Sequence, residues 1–239
     1  MKSRDYHNEI DGYAAQWTRN LMKKGLIPDG FVDERDIRDV QPMDLWGFTR
    51  CHFFSGIAGW AYALRLAGVP DDFPLWTGSC PCQPFSEAGK GAGFDDERHL
   101  WPAWQWLISQ SRPPIILGEQ TPRAIRMGWL DLVANDLERL GYAFGAVLIP
   151  ACAVGAKHIR ERIWFLADAA SERRINDRRQ QCSSSSDEAR SLYRWPSESG
   201  FSRTSDGILG RMALVRAFGN SIVPQVAAAF IEAALACRP

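Results

Sequence analysis

The stretch from His52 to Gly68 limits the possible folds more than any other part of the chain. His52-Phe53-Phe54 is followed by Ser55-Gly56-Ile57-Ala58-Gly59, then by Trp60-Ala-Tyr-Ala-Leu-Arg-Leu-Ala67 and a closing Gly68. This is the pattern of a strand, a glycine-bearing turn and a helix. The alternation continues downstream. Pro74 to Gly78, Pro114 to Leu117, Ala143 to Ile149 and Ile163 to Ala167 read as strands, while Leu100 to Ser109 and Trp129 to Leu140 read as helices. Strands alternating with helices predict an α/β architecture with a mostly parallel sheet and helices on both faces. Val223 to Cys237, rich in alanine with Pro224 in its first turn, predicts a closing helix.

A chain of 239 residues is long enough for one sizeable core and short for two. The expected division is 1–168 as the α/β domain, 169–210 as a polar segment, and 211–239 returning to the domain. From Ala169 to Gly210 the composition turns to Ser, Arg, Asp and Gln, including Ser183-Ser-Ser-Ser-Asp-Glu188, which leaves little to bury. With 46% hydrophobic and 23% charged residues and no apolar run of about 18 residues, nothing is expected to span a membrane. The opening residues lack the apolar core of a secretory signal, so the expected location is the cytoplasm, with six reduced cysteines. A formal net charge of zero argues against coating nucleic acid by bulk positive charge. A local basic face is compatible with it, since Lys157 to Arg216 holds twelve Lys or Arg against eight Asp or Glu.

The most specific motif is Gly78-Ser-Cys-Pro-Cys-Gln-Pro-Phe-Ser86. Prolines on either side of Cys82 stiffen a loop that follows a strand, which places a thiol at the carboxyl edge of a sheet, where α/β ligand sites lie. A structural cysteine in a proline-rich turn fits the same residues. Cys80, Cys82 and the pair Cys51-His52 match no common zinc spacing, so no metal is expected.

Pro81-Cys82-Gln83-Pro84-Phe85-Ser86 resembles the signature of the DNA cytosine-5 methyltransferase family. Further boxes follow the family's order. Phe54-Ser-Gly56-Ile-Ala-Gly59 looks like its cofactor loop, and Glu119-Gln-Thr stands where it has Glu-Asn-Val. His158-Ile-Arg160-Glu-Arg162 stands where it has Gln-Arg-Arg-x-Arg, and Phe218-Gly-Asn220-Ser221 is similar to its closing Gly-Asn-Ser box. The resemblance spans roughly 52–235. It implies a Rossmann-like methyltransferase that uses S-adenosylmethionine and acts on a cytosine flipped out of DNA. Cys82 would be the nucleophile toward C6, Glu119 would bond the base at N3 and the exocyclic amine, and Arg160 and Arg162 would orient the base and its phosphate. Phe54, Gly56, Gly59, Trp60 and Asn220 would line the cofactor site. By themselves, both arginines also read as an exposed charged face.

One departure concerns chain order. The family places an acidic ribose-binding turn and an Asp-Ile adenine turn between the cofactor loop and the catalytic cysteine, and neither lies between Gly56 and Cys82. Two N-terminal stretches look like them: Asn8-Glu9-Ile10-Asp11 with the helix after it, and Arg35-Asp36-Ile37. The expectation is a local permutation in which both precede the glycine loop yet keep their places in the sheet. Glu9 and Asp11 would then serve the ribose, and Asp36 and Ile37 the adenine. An ordinary N-terminal helix with a charged face is the alternative.

Ala58 replaces a glycine of the loop, which a negative φ would allow. Gln120 replaces the Asn after Glu119. The family further implies a bacterial or bacteriophage enzyme of the restriction-modification type, monomeric, with 169–210 in the position of its target-recognition element. Tyr193, Arg194, Trp195 and Phe201 are candidates there for base contacts, and a solvated linker is the other reading. Two further possibilities are a catalytically idle DNA-binding descendant and a C5-modifying enzyme with another one-carbon donor.

Overall fold

A computed structural model of the protein describes residues 4–81, 100–169 and 221–237. Seven strands form one sheet: β1 (Asp5–Asn8), β2 (Gly30–Asp33), β3 (Arg50–Phe53), β4 (Leu75–Gly78), β5 (Ile115–Gln120), β6 (Ala143–Pro150) and β7 (Glu161–Asp168). The helices are α1 (Gly12–Lys23), α2 (Gly59–Leu66), α3 (Trp101–Ser111), the single turn α4 (Arg123–Arg126), α5 (Trp129–Arg139) and α6 (Pro224–Ala236). Strand order is β2-β1-β3-β4-β5-β7-β6, with β7 antiparallel to both its neighbours. This is a Rossmann-like α/β sheet.

The downstream elements fall where the apolar pattern puts them. β7 starts at Glu161, two residues before its apolar run, because the ladder with β6 continues to the Pro150–Glu161 pair, which brings Arg162 into the strand. The expected recognition segment, apart from its first residue, lies outside the described residues, as does 211–220. Among the described residues no helix is long and apolar enough to cross a membrane.

Period-two alternation sends side chains to two layers. Cys51 and Phe53 of β3, Trp76 of β4, Ile116 of β5 and Phe165 of β7 meet Trp101, Trp104 and Leu107 of α3 and Trp129, Val133 and Leu137 of α5. In this layer Trp101 stands edge-on to Trp104 at 5.6 Å and to Trp129 at 6.0 Å, contacts worth about 0.5–1.5 kcal/mol each beyond the area they bury. The 3-10 turns Ile37–Asp39 and Pro42–Leu45 cover the same face beside Tyr6. On the opposite face Leu75, Ile115, Leu117 and Trp164 pack under Trp60 and Leu64 of α2 and Val226, Phe230 and Ile231 of α6. α1 lies beside α2, with Leu21 and Met22 against the cluster of Ile27, Ala58 and Ala61.

Placing α1 and α2 on one face has a topological consequence. The β1–α1–β2 crossover steps toward one edge of the sheet and β3–α2–β4 toward the other, so the two have opposite hands. The β4–α3–β5 crossover steps the same way as β3–α2–β4 but over the other face, so it too opposes it in hand. Since about 98% of such crossovers are right-handed, β3–α2–β4 is the exception. That reversal is what results when the β1–α1–β2 unit precedes β3 in the chain but still sits beside it in the sheet.

The first two strands, Asp-Tyr-His-Asn and Gly-Phe-Val-Asp, are short and polar, which hides them from a search for apolar alternation. Asp5, Arg50 and His52 face inward because they satisfy one another. Arg50, fully buried, donates to both oxygens of Asp5 at 2.9 and 3.1 Å and to Asp71 at 3.2 Å. His52 bonds Thr77 at 2.7 Å and approaches Asp5 at 3.3 Å, and His7 stacks on it at 4.6 Å.

Candidate functional site

The carboxyl ends of β1 to β5 and the amino end of β7 share one edge of the sheet, and of the residues singled out in the sequence Glu9, Gly56, Asp36, Glu119 and Arg162 lie along it. Between β3 and α2 the chain turns through three left-handed residues, Phe54 (φ 51°), Gly56 (φ 54°) and Ala58 (φ 62°). Ala58 therefore occupies the turn without the negative φ that would make an alanine easy there. A left-handed alanine costs roughly 1–2 kcal/mol, and burial of its methyl group with Ile27 and Ala61 holds it there. A Cβ placed on Gly56 would meet nothing within 4 Å, so the loop has an open side at that residue.

Glu9, directly after β1, spans this loop and the start of α1. Its Oε2 accepts from the Gly56 N–H at 2.6 Å and its Oε1 from the Asp11 N–H at 2.9 Å. Burial pushes the Glu9 carboxyl above its ordinary pKa, and the two backbone donors oppose that. Asp11 caps α1 by accepting from the Ala14 N–H. The pairing of β1 with β3 thus brings Glu9 into direct contact with the glycine loop, as the expected permutation requires. After β2, Asp36 caps the turn that carries buried Ile37, and both its oxygens bond Arg38, at 2.9 and 2.6 Å. Arg38 stabilises the Asp36 carboxylate and lowers its pKa, so another donor would have to share that carboxylate with the guanidinium.

Asn8 and Arg35, which the sequence reading included in these boxes without giving them a task, join the two turns. Asn8 donates to the Arg35 carbonyl at 2.9 Å, while Arg35 grips Asp33 and Asp44 and the Tyr6 hydroxyl donates to Asp33 at 2.7 Å.

At the end of β5, Glu119 is buried, with the Arg162 Nε 2.8 Å from its Oε1. Burial raises its pKa, while Arg162, the Ser79 hydroxyl and Arg160 act in the other direction. Arg160 donates to the Ser221 carbonyl at 2.8 Å and so anchors the C-terminal segment beside the site. Gly59 makes room for that segment, since a Cβ there would come within 2.7 Å of Ile222. The Trp60 indole lies in the core, edge-on to Trp164, and its N–H donates to Ser79 at 3.1 Å. Phe54 packs edge-on to Trp104. Cys82 and Asn220 lie outside the described residues, one position beyond Pro81 and one before Ser221. Ser79 is the site residue the sequence reading passed over; it stood inside the Gly78–Ser86 motif, where a serine carries no signal until its neighbours in space are known.

Cys51 and His52 are consecutive on β3 and point to opposite faces, so they cannot converge on one ion. Among the described residues the group whose ligand atoms come together is Asp5, His7 and His52, and there Arg50 already occupies Asp5.

The sheet thus carries, on one edge, a glycine loop, a carboxylate bonded to that loop and a buried Glu119 paired with Arg162, the edge at which open α/β sheets bind their ligands. The family model for C-5 cytosine-specific DNA methylases matches residues 63–202, more than half of the chain, and the chain belongs to that family. It is 32% identical over 100 residues to the type II methyltransferase M.NgoMIV of Neisseria gonorrhoeae, which covers 41% of this chain and 32% of that protein. Against the type II methyltransferase M.HaeII of Haemophilus aegyptius it is 27% identical over 158 residues, 64% of this chain and 42% of that protein. The matched stretches are thus well under half the length of these relatives. Among solved structures it is similar to a DNMT2 mutant of Spodoptera frugiperda, with 16% identity, a TM-score of 0.45, and coverage of 75% of this chain and 54% of that one.

Proposed function

We propose that the protein is a DNA cytosine-5 methyltransferase that uses S-adenosylmethionine and Cys82. The observation that carries this reading is Glu119: a buried carboxyl with raised proton affinity, held by Arg162 at 2.8 Å on the edge where the Pro81-Cys82 loop leaves β4. C5 of cytosine is too electron-poor to take a methyl group unaided. Addition of the Cys82 thiolate to C6 supplies the missing electron density. Glu119 presents its proton to N3 as negative charge develops there, and its other oxygen accepts from the exocyclic amine. Arg162 holds that carboxyl in place. After transfer, loss of the C5 proton and expulsion of the thiolate restore the aromatic ring. The target base must leave the helical stack, at about a few kcal/mol, and 169–210 is the candidate element for gripping the DNA.

The chain's residues fit the methyl donor at the glycine loop. Gly56 has an open side, and the Glu9 carboxylate under it has lone pairs left for ribose hydroxyls. Asp36 and the backbone of Ile37 would take the adenine, and Asn220, assigned to the same site, lies outside the described residues. When bound there, S-adenosylmethionine supplies an electrophilic methyl group on a sulfonium.

The test is nucleoside mass spectrometry of DNA incubated with protein and S-adenosylmethionine, with Cys82→Ala as the control. 5-Methylcytosine made by the wild type and absent with Cys82→Ala is the expected result. Unmodified DNA despite measured binding of DNA and cofactor would leave a DNA-binding descendant, and absence of cofactor binding would point to another one-carbon donor.

A further inference from the structure

We infer that Asn8 is a positioning residue for the methyl donor, setting the adenine turn at Asp36 and Ile37 against the ribose carboxylate of Glu9. This assignment rests on the reading of the glycine-loop edge as the cofactor site. Asn8 ends β1, directly before Glu9, and is 3% exposed. Its amide nitrogen lies 2.9 Å from the Arg35 carbonyl and 3.4 Å from the Asp33 carbonyl. Carbonyls only accept, so the amide turns its NH2 group, with two protons, toward them. Its own backbone carbonyl accepts from the Ser55 N–H at 3.1 Å. One buried residue thus touches the glycine loop, the Glu9 turn and the approach to Asp36.

Backbone pairing does not hold these turns together by itself. The β1–β2 ladder ends at the Asn8–Asp33 pair, with one more bond from the Glu9 N–H to the Asp33 carbonyl at 2.9 Å. Beyond it, among the described residues, no backbone hydrogen bond joins the Glu9 turn to residues 35–39. The Asn8 side chain spans that gap. The Arg35 carbonyl belongs to the planar peptide that begins Asp36, so holding it fixes the plane from which Asp36 and Ile37 project. The outer side of the turn is secured separately, since Arg35 grips Asp33 and Asp44, and Arg38 bonds Asp36. The turn therefore has its shape without Asn8, and what the Asn8 amide adds is its setting relative to Glu9.

That setting matters to a ligand carrying adenine and ribose on one short frame. A single glycosidic bond joins the two groups, so their acceptors must already stand at the right separation, and any ordering left until binding costs affinity. Arg38 occupies both Asp36 oxygens, at 2.9 and 2.6 Å. An adenine amino group therefore has only the remaining lone pairs to meet, from a restricted direction. A tilt of the turn costs recognition of that amine first.

The experiment is calorimetric titration of the full chain, well below its Tm, with S-adenosylhomocysteine and with its deaminated analogue, in which hypoxanthine replaces adenine. The wild type should prefer the adenine ligand by at least about tenfold, the effect of one hydrogen bond to a charged acceptor. Asn8→Ala should raise Kd for S-adenosylhomocysteine about tenfold and leave the analogue within about threefold, so the preference collapses. If the alanine variant does not fold, Asn8→Thr, whose hydroxyl is one bond short of the amide's reach, carries the same expectation. In methylation assays KM for S-adenosylmethionine should rise with that Kd while KM for DNA stays unchanged. A purely structural loss weakens both ligands by the same factor and leaves the preference intact, and that result overturns the assignment alone, as does a wild type that binds both ligands equally. A wild type that binds neither removes the cofactor reading and this assignment with it.

Discussion

Glu9→Gln separates a role in the cofactor site from a role in the fold. The carboxylate accepts two backbone N–H groups, from Gly56 at 2.6 Å and Asp11 at 2.9 Å. An amide keeps one acceptor oxygen and turns its NH2 group toward the other N–H, so one bond becomes a donor facing a donor. A hydrogen bond to a charged group is worth about 1.5–3 kcal/mol. The expected loss of stability is of that size, lowering Tm by roughly 3–12 °C in a domain of this length. On the proposed reading of Glu9 as the ribose-binding carboxylate, the same change would also remove an acceptor for one ribose hydroxyl. Calorimetric titration with S-adenosylmethionine, run well below the new Tm, should show Kd raised roughly 10- to 100-fold. A variant that loses stability yet binds within twofold of wild type would refute the reasoning, since the carboxylate would then serve only to tie the loop to α1.

Ala58→Gly relieves a left-handed alanine worth about 1–2 kcal/mol and removes a buried methyl group worth about 0.8 kcal/mol; urea unfolding should show a net change of at most about 1 kcal/mol, on the stabilising side. Asp5→Asn leaves the fully buried Arg50 with Asp71 as its remaining carboxylate. Breaking a buried pair from one side costs about 3–5 kcal/mol, so Tm should fall by roughly 6–20 °C, and an unchanged Tm would show the pair to be dispensable. His7 is fully buried, both its ring nitrogens lack a hydrogen-bond partner among the described residues, and burial holds its pKa well below the ordinary value. Native His7 therefore stays neutral while the unfolded chain takes up a proton. Its contribution is complete above about pH 6.5 and is lost as pH falls below that value, at up to about 1.4 kcal/mol per unit. Stability measured from pH 7.5 to 5.5 should show this slope, and His7→Leu should flatten it.

Much of the site could be read from residue order because it depends on local chemistry. The glycine loop, the proline-flanked cysteine and the closing helix are contiguous motifs, and a resemblance carried by several of them pointed to one family. The strands from β3 onward were visible because their apolar residues face two hydrophobic layers. β1 and β2 were not, since Asp5, Arg50 and His52 satisfy one another across strands and His7 packs on His52, and a pattern search sees mainly polar residues there. The sequence raised the possibility that Glu9 and Asp36 had moved ahead of the loop, but linear order cannot distinguish that from an ordinary N-terminal helix.

The amino-acid sequence by itself determined the α/β class, the family and the types of residue that could do the chemistry, because these rest on periodicity and short motifs. Tertiary structure alone decided that β1 lies between β2 and β3 and that one crossover has the opposite hand. It also decided that Glu9 meets Gly56 and that Glu119 meets Arg162. Each of these is a contact between distant parts of the chain, fixed by strand pairing and by which face of the sheet a helix covers, and residue spacing encodes neither directly.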